Sequence, residues 1–109
     1  MKWFRTISGE IISIDFIYAI IPKTYNDKIN IILITKDGRQ TVHDTYYKDK
    51  KYVEYGLYGE NIIDYESAAK SQMDILTDRI SSENWEGIIW YHENLRDEDN
   101  DNSWKEDWI

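Results

Sequence analysis

The chain has no cysteine, a single proline and only five glycines among its 109 residues. Without cysteine, disulfides and thiolate chemistry are excluded. The glycines are isolated from one another, so there is no glycine-rich loop of the kind that holds phosphate groups. The apolar stretches, residues 11–22 and 29–34, are far shorter than a membrane span, and residues 1–6 hold no apolar run of signal-peptide length. We therefore expect a cytoplasmic protein that does not associate with membranes.

Histidine is also scarce, since His43 and His92 are the only two. His43 falls on a predicted strand, and neither histidine has cysteines or clustered acidic residues at the spacing of metal ligands. A strand histidine is usually a surface or half-buried residue, so a metal-binding or general-base role is the minority interpretation. No two of the 21 Asp and Glu residues stand out as an acid–base pair. We expect no enzyme activity, no metal and no cofactor.

Acidic residues are in excess, and they are concentrated in the second half of the chain. Residues 1–59 contain 9 Lys or Arg against 7 Asp or Glu, residues 60–109 contain 4 against 14, and the net charge is −8. A localised negative surface repels phosphate and attracts basic clefts. This distribution predicts a basic protein partner, such as a nuclease or a nucleic-acid-processing complex, and argues against direct binding of nucleic acid.

The hydrophobic pattern predicts an α+β fold, with a small antiparallel sheet of four to five strands packed by one main helix and an acidic C-terminal tail. Residues 28–36 alternate clearly, and Asp37-Gly38 then predicts a hairpin before residues 39–47 return. The phase of residues 10–21 changes near Ile17, which indicates a bulge or a break. The first 47 residues thus predict a four-stranded antiparallel meander.

The second half contains one clear helix and two short apolar segments. The helix begins after Asp64, ends at Ser81-Ser82, and places four apolar residues on one face: Ala69, Met73, Leu76 and Ile80. Residues 52–55 predict a short edge strand, and residues 85–91 favour a short buried strand. We divide the chain into a single α+β domain, residues 1–94, and an acidic, tryptophan-containing C-terminal segment, residues 95–109.

The candidate partner-binding residues are carboxylates of the helix and the C-terminal segment, with two indoles: Asp64, Glu66, Asp74, Asp78, Glu93, Asp97, Glu98, Asp99, Asp101, Trp104, Glu106, Asp107 and Trp108. If helix and tail share one side, these carboxylates approximate the phosphate spacing of a nucleic-acid strand. An ordinary amphipathic helix with a solvated acidic face is the commoner arrangement. The two tryptophans either fold back over the sheet or anchor the tail in a partner's pocket, and the sequence weights these equally.

A smaller basic and aromatic region lies in residues 46–58. Three lysines, Lys48, Lys50 and Lys51, stand among five tyrosines: Tyr46, Tyr47, Tyr52, Tyr55 and Tyr58. Aromatic rings can stack on bases and lysines can meet phosphates, but the overall negative charge opposes this. The pattern does not distinguish tyrosines of the core from tyrosines of an interface.

The segment Phe4-Arg5-Thr6-x-x-Gly9-Glu10-Ile11-Ile12-x-Ile14 and the later Asp37-Gly38 resemble many short proteins of low-GC bacteria and their phages. The resemblance covers about the first 40 residues and implies a small strand meander closed by one helix. In size, lack of cysteine, aromatic content and acidity the chain also resembles phage-encoded protein inhibitors, including anti-CRISPR proteins. Immunity proteins that neutralise nuclease toxins share these features. These classes have no defining motif, so no functional residue is carried over from them.

The function hypothesis from the sequence is therefore a non-enzymatic acidic inhibitor that binds a basic partner, with DNA mimicry as one form of it. It acts in the cytoplasm, of the host cell if it is phage-encoded. The alternatives are an immunity protein, a small adaptor or oligomerising domain with a solubilising tail, and a hydrolase built on an unrecognised carboxylate pair. Self-association is compatible with the adaptor alternative.

Overall fold

The computed structural model describes residues 1–98, which form one α-helix, one short 3-10 helix and nine strands. The chain order is β1 (Lys2–Arg5), β2 (Ile11–Ser13), the 3-10 helix (Ile14–Phe16), β3 (Ile17–Thr24), β4 (Lys28–Thr35), β5 (Gln40–Tyr47), β6 (Tyr52–Gly56), β7 (Gly59–Ile63), α1 (Tyr65–Ser81), β8 (Gly87–Trp90) and β9 (Leu95–Asp97). The predicted α+β class is confirmed.

The strands are divided among three small sheets, where the sequence predicted one sheet of four to five strands. Within residues 1–98 the sheet orders are β2-β1-β8, β3-β4-β5 and β7-β6-β9. β1 pairs antiparallel with β2 but parallel with β8, so that Lys2 lies opposite Gly87. The predicted meander of residues 1–47 is therefore interrupted. The 3-10 turn, capped by the Ser13 side chain, redirects the chain before β3 and separates β1 and β2 from the second sheet.

The second sheet follows its sequence pattern closely. Ile29, Ile31 and Leu33 of β4 are buried in the core, and the register of β3 on β4 shifts between Ile17 and Ala19, which confirms the predicted bulge. The predicted hairpin between β4 and β5 is also present. Its turn has a positive φ at Gly38 alone, so it is a turn closed by a left-handed glycine and not the two-residue primed turn that Asp-Gly favours.

The helix α1 is capped as predicted. The Asp64 carboxylate accepts a hydrogen bond from the Ser67 N–H at 2.8 Å, and Ser82 is the C-terminal cap. Ala69 and Leu76 are buried, with Met73 and Ile80 packed at the edge of the same core. The helix packs mainly on β4 and β5, so it does not cover the whole of the sheet's third strand, β3.

The tyrosine-rich region contributes to both core and surface. Tyr46 and Tyr52 are fully buried and meet edge to face, whereas Tyr58 is completely exposed. β6, predicted as an edge strand, is the centre of the third sheet. Its neighbour β9 begins at Leu95, so residues that the sequence assigned to the C-terminal segment are part of this sheet.

Candidate functional site: an acidic, apolar groove between the helix and β3

The predicted helix carboxylates lie on the outer surface of α1. Glu66, Asp74 and Asp78 are exposed, and Asp78 is 3.6 Å from the Arg79 guanidinium of the next residue. Asp64 is exposed as well, but its carboxylate caps the helix. The hydrogen bonds from Ser67 lower the pKa of Asp64, so it stays charged at neutral pH. These four side chains put negative charge along one helix, as the sequence predicted.

Beside this acidic surface runs an apolar groove, which we call the helix–β3 groove. One part, about 330 Å³, is lined from β3 and the 3-10 helix by Ile14, Ile17 and Ile20 and from α1 by Met73, Leu76 and Ile80, among others. A second part, about 380 Å³, is lined by Pro22, Thr24, Ile29, Ala69 and Met73 together with charged residues of the helix. Met73 lines both parts, so the two hollows adjoin. The groove exists because α1 is centred on β4 and β5.

Two of the predicted binding residues flank this groove. Glu66 and Asp74 line its second part, with Lys70 between them on the helix. The sequence predicted the charge but not the apolar surface next to it, because the groove depends on where the helix packs on the sheet. A groove of this kind combines apolar contact area with charges at its rim, which is how protein interfaces are generally built.

Three other predicted residues make contacts within the chain. The Glu93 carboxylate is 3.3 Å from Nε of Arg79, and the Asp97 carboxylate is 2.8 Å from Nζ of Lys50. Asp97 is buried, and Glu98 donates its backbone N–H to the Lys51 carbonyl at 2.9 Å. The carboxylates of Glu93 and Asp97 thus already balance cations of the same chain. The remaining six predicted residues lie outside the described residues: Asp99, Asp101, Trp104, Glu106, Asp107 and Trp108.

The sequence prediction was wrong for His43, which is fully buried and not at the surface. Burial lowers the pKa of His43 to about 4. The Asp44 carboxylate opposes this shift, and the nearby His92, a weaker effect than Asp44, adds to it. The Gln72 amide nitrogen lies 3.3 Å from His43 Nε2, which suits a neutral ring that accepts a hydrogen bond. His43 is therefore uncharged in the folded protein at neutral pH.

Asp44, which follows His43 on β5 and is also fully buried, contacts the half-buried His92. Its carboxylate accepts hydrogen bonds from the backbone N–H of Thr45 at 2.8 Å and of His92 at 3.1 Å. Nδ1 of His92 also lies 2.8 Å from Asp44 Oδ2, without the alignment of a hydrogen bond. His92 has a φ of +56°, which is rare outside glycine and is held here by these contacts. No local pattern indicates this cluster, because β5 and the loop after β8 meet only in the folded chain.

The surroundings of the cluster are aromatic. Phe4 meets His43 edge to face, and Tyr46 and Tyr52 pack against His92. Burial and the neighbouring Asp44 carboxylate raise the pKa of Tyr46 well above its usual value. Within residues 1–98 no three His, Asp or Glu side chains are arranged to hold a metal ion. His43 and Asp44 are thus polar residues of the core, and the half-buried His92 lies at their edge.

The predicted basic and aromatic region is of mixed charge. Lys50 lies over the Tyr47 ring at 5.5 Å, and Lys23 and Lys28 lie over Tyr25 at 5.5 and 5.6 Å. A hollow of about 490 Å³ between the two segments is lined by Lys48 but also by Asp27 and Asp49, together with Asn26 and Tyr47. Lysine and carboxylate thus lie side by side around this hollow.

No protein-family model, curated protein or solved structure matches this chain. As for membrane insertion, residues 1–98 include no helix with the length and apolar character needed to cross a bilayer.

Proposed function

We propose that this chain is a non-enzymatic binding protein that inhibits a basic protein partner, a nuclease or another nucleic-acid-processing protein, in the cytoplasm. The observation that carries this is the position of Glu66 and Asp74 on the rim of the helix–β3 groove. A purely solvated acidic helix face would not require an open apolar surface beside it. Exposed apolar surface next to ordered charge is characteristic of sites that bind proteins.

The charged and the apolar surfaces would contribute to binding in different ways. Carboxylates on α1, in a chain of net charge −8, would speed the approach of a cationic surface and orient it. Met73, Ile20 and their neighbours would supply contact area that persists at high salt. Inhibition then follows from occupancy, because the covered basic surface is the one the partner uses for nucleic acid. DNA mimicry, as in the anti-CRISPR proteins that the chain resembles, and toxin neutralisation by an immunity protein are two forms of this proposal.

The experiment captures partners on the immobilised chain and compares wild type with a triple variant, Glu66→Gln, Asp74→Asn, Asp78→Asn. A matched control, Asp15→Asn, Asp49→Asn, Glu60→Gln, makes the same change in net charge at exposed positions elsewhere. We expect a basic protein from the native host lysate to bind wild type and control at low salt, and to be lost at high salt and with the triple variant. Its activity on labelled DNA should fall in proportion to the amount of chain added.

Capture of the same proteins by the triple variant and the control would refute the role of the helix carboxylates. A captured protein that is acidic, or whose activity on DNA is unchanged by saturating chain, would refute inhibition of a basic partner.

A second candidate function, an adaptor or oligomerising domain, is favoured by the hairpin between β6 and β7. Leu57 and Tyr58 at its tip are 98% and 102% exposed, and Ile62 on β7 is 63% exposed. Large apolar side chains at a hairpin tip are costly to leave in water and suit a contact between copies. Light scattering on wild type and on Leu57→Ser, Tyr58→Ser separates the two functions. A concentration-dependent dimer lost in the variant supports the adaptor, and a monomer throughout contradicts it.

A further inference from the structure

β3 is an edge strand with an unoccupied side. It is bonded to β4 on one side, and among residues 1–98 no strand pairs with its other side. The strand is eight residues long, Ile17–Thr24, and its exposed apolar side chains include Tyr18 and Ile21. A free edge of this length is a template for another strand, and peptides frequently bind proteins by adding to such an edge.

The backbone phase of β3 shows which groups are free to pair. The Tyr25 N–H donates to the Lys28 carbonyl at 2.8 Å and closes the hairpin to β4. In an antiparallel pair, bonding to the neighbour alternates along the strand, so Lys23 and Ile21 also face β4. Ile20, Pro22 and Thr24 therefore turn their backbone groups outward. Proline has no N–H, and Pro22 lies at a position whose N–H would not form a hydrogen bond with β4.

The same three residues line the helix–β3 groove. Ile20 belongs to its first part, and Pro22 and Thr24 belong to its second part. A strand added beside them would continue the sheet past the region that α1 covers. Every second side chain of that strand would then point into the groove, towards Met73 and the carboxylates of Glu66 and Asp74.

We propose that the partner binds through an extended segment, rich in lysine or arginine and β-branched residues, that pairs with the outer edge of β3. Its apolar side chains and the aliphatic stems of its basic residues fill the groove, and the basic groups meet the acidic rim. This inference rests on the proposed function, since it names the part of the partner that the acidic groove receives.

Charge complementarity favours a basic partner segment over two other possible occupants of the groove, a second copy of the chain and the chain's own residues 99–109. A second copy brings the same helix carboxylates and a net charge of −8, so two grooves would repel each other. Residues 99–109 contain Asp99, Asp101, Glu106 and Asp107 against Lys105 alone, and so carry the same sign as the rim. The cation Lys70 lies within the rim, but the carboxylates of Glu66 and Asp74 outnumber it.

The test uses two synthetic decapeptides with threonine at the odd positions. The even positions, which share one face of an extended strand, alternate valine with lysine in one peptide and valine with glutamate in the other. Each peptide is added to the full chain and followed by NMR amide exchange. With the lysine peptide, exchange at Ile20 and Thr24 should slow at least tenfold on saturation. Exchange at Ile21 and Lys23 should not change, because these amides are already bonded to β4. The glutamate peptide should give no protection, and added salt should weaken binding of the lysine peptide.

A matched pair of variants at Thr24 isolates the backbone bond. Thr24→Pro removes an outward N–H that β4 does not use, and Thr24→Val keeps it while removing the hydroxyl. Loss of one hydrogen bond should weaken binding of the lysine peptide about three- to tenfold in the proline variant and leave the valine variant near wild type. Unchanged amide shifts in α1 show that each variant is folded.

The inference is overturned if the lysine peptide does not bind at millimolar concentration, if it binds without protecting Ile20 and Thr24, or if both peptides bind equally. If exchange at these amides slows as the protein concentration is raised without any peptide, the inference is also overturned, in favour of a dimer. The proposed function is judged separately. A salt-sensitive basic partner lost with the Glu66, Asp74 and Asp78 variant would sustain that function even if β3 gains no protection, and absence of such a partner would end it whatever the peptides do.

Discussion

Protonation of His43 is expected to make the fold unstable in mild acid. The ring is fully buried, and burial is the largest cause of a pKa near 4 in place of the usual 6.5. In the unfolded chain the same ring takes up a proton once the pH falls below about 6.5. Between these two values the unfolded state binds more protons than the folded state, so acid shifts the equilibrium towards unfolding.

The magnitude follows from the difference between the two pKa values. A separation of about 2.5 units corresponds to roughly 3 kcal/mol of unfolding free energy, at about 1.4 kcal/mol for each unit. The contribution of His43 is complete above pH 6.5, decreases as the pH falls to about 4, and changes no further below that. For a domain with an ordinary stability of about 5–15 kcal/mol, this is a substantial part of the total.

The assay is urea unfolding followed by tryptophan fluorescence, for wild type and His43→Gln, at intervals from pH 7.5 to 4.5. Glutamine keeps a polar group beside Gln72 but does not titrate. The slope of the unfolding free energy against pH measures how many more protons the unfolded state binds than the folded state. Within this range that number should be smaller by about one in His43→Gln than in wild type. Carboxylate titration and the relief of net negative charge affect both proteins alike, and so cancel in the comparison.

His92→Gln is the matched control, because it removes the other histidine of the cluster and keeps the buried ring. It should retain most of the acid sensitivity of wild type. Parallel pH profiles for wild type and His43→Gln would show that His43 is protonated equally in both states, and would refute the assignment of a buried neutral ring.

Two further changes test the packing and the backbone. Leu76, on the core face of α1, is only 1% exposed, so Leu76→Ala should lower the free energy of unfolding in urea by about 2–5 kcal/mol. Leu57→Ala at the exposed hairpin tip should change it by less than about 0.5 kcal/mol. Equal losses would contradict the placement of α1 on the sheet. Gly38→Ala should cost about 1 kcal/mol, because φ is +86° while no atom lies within 4 Å of the added methyl, so the loss is backbone strain alone; a neutral effect in the same assay would show that the turn is not left-handed.

Local signals predicted most elements of this fold, because each depends on residues close in sequence, although β7 and β9 were missed. The alternation of β4, the Asp64 cap and the phase change near Ile17 all correspond to observed features. The division into three sheets was not predictable in this way. β1 pairs with β8 from the far end of the described chain, and β6 pairs with β9, so the choice of neighbour is made by contacts that no local window contains.

The candidate site shows the same limit. Glu66 and Asp74 were visible in the sequence as charge, but the groove beside them requires the position of α1 over β4 and β5. The cluster of His43, Asp44 and the half-buried His92 was missed for a related reason. A histidine on a strand of mixed composition is usually exposed, whereas here Phe4 of β1 and Gln72 of α1 contact the fully buried His43 ring.

The structure also separates the predicted acidic residues into two kinds, those that form ion pairs within the chain and those that are exposed beside the groove. Glu93 and Asp97 form ion pairs with Arg79 and Lys50 of the same chain, so neutralising either carboxylate removes a contact within the fold. Glu66 and Asp74 stand exposed on the rim of the helix–β3 groove. Stability therefore constrains the first pair more than the second, so a substitution meant to test the proposed binding without unfolding the chain belongs on the rim.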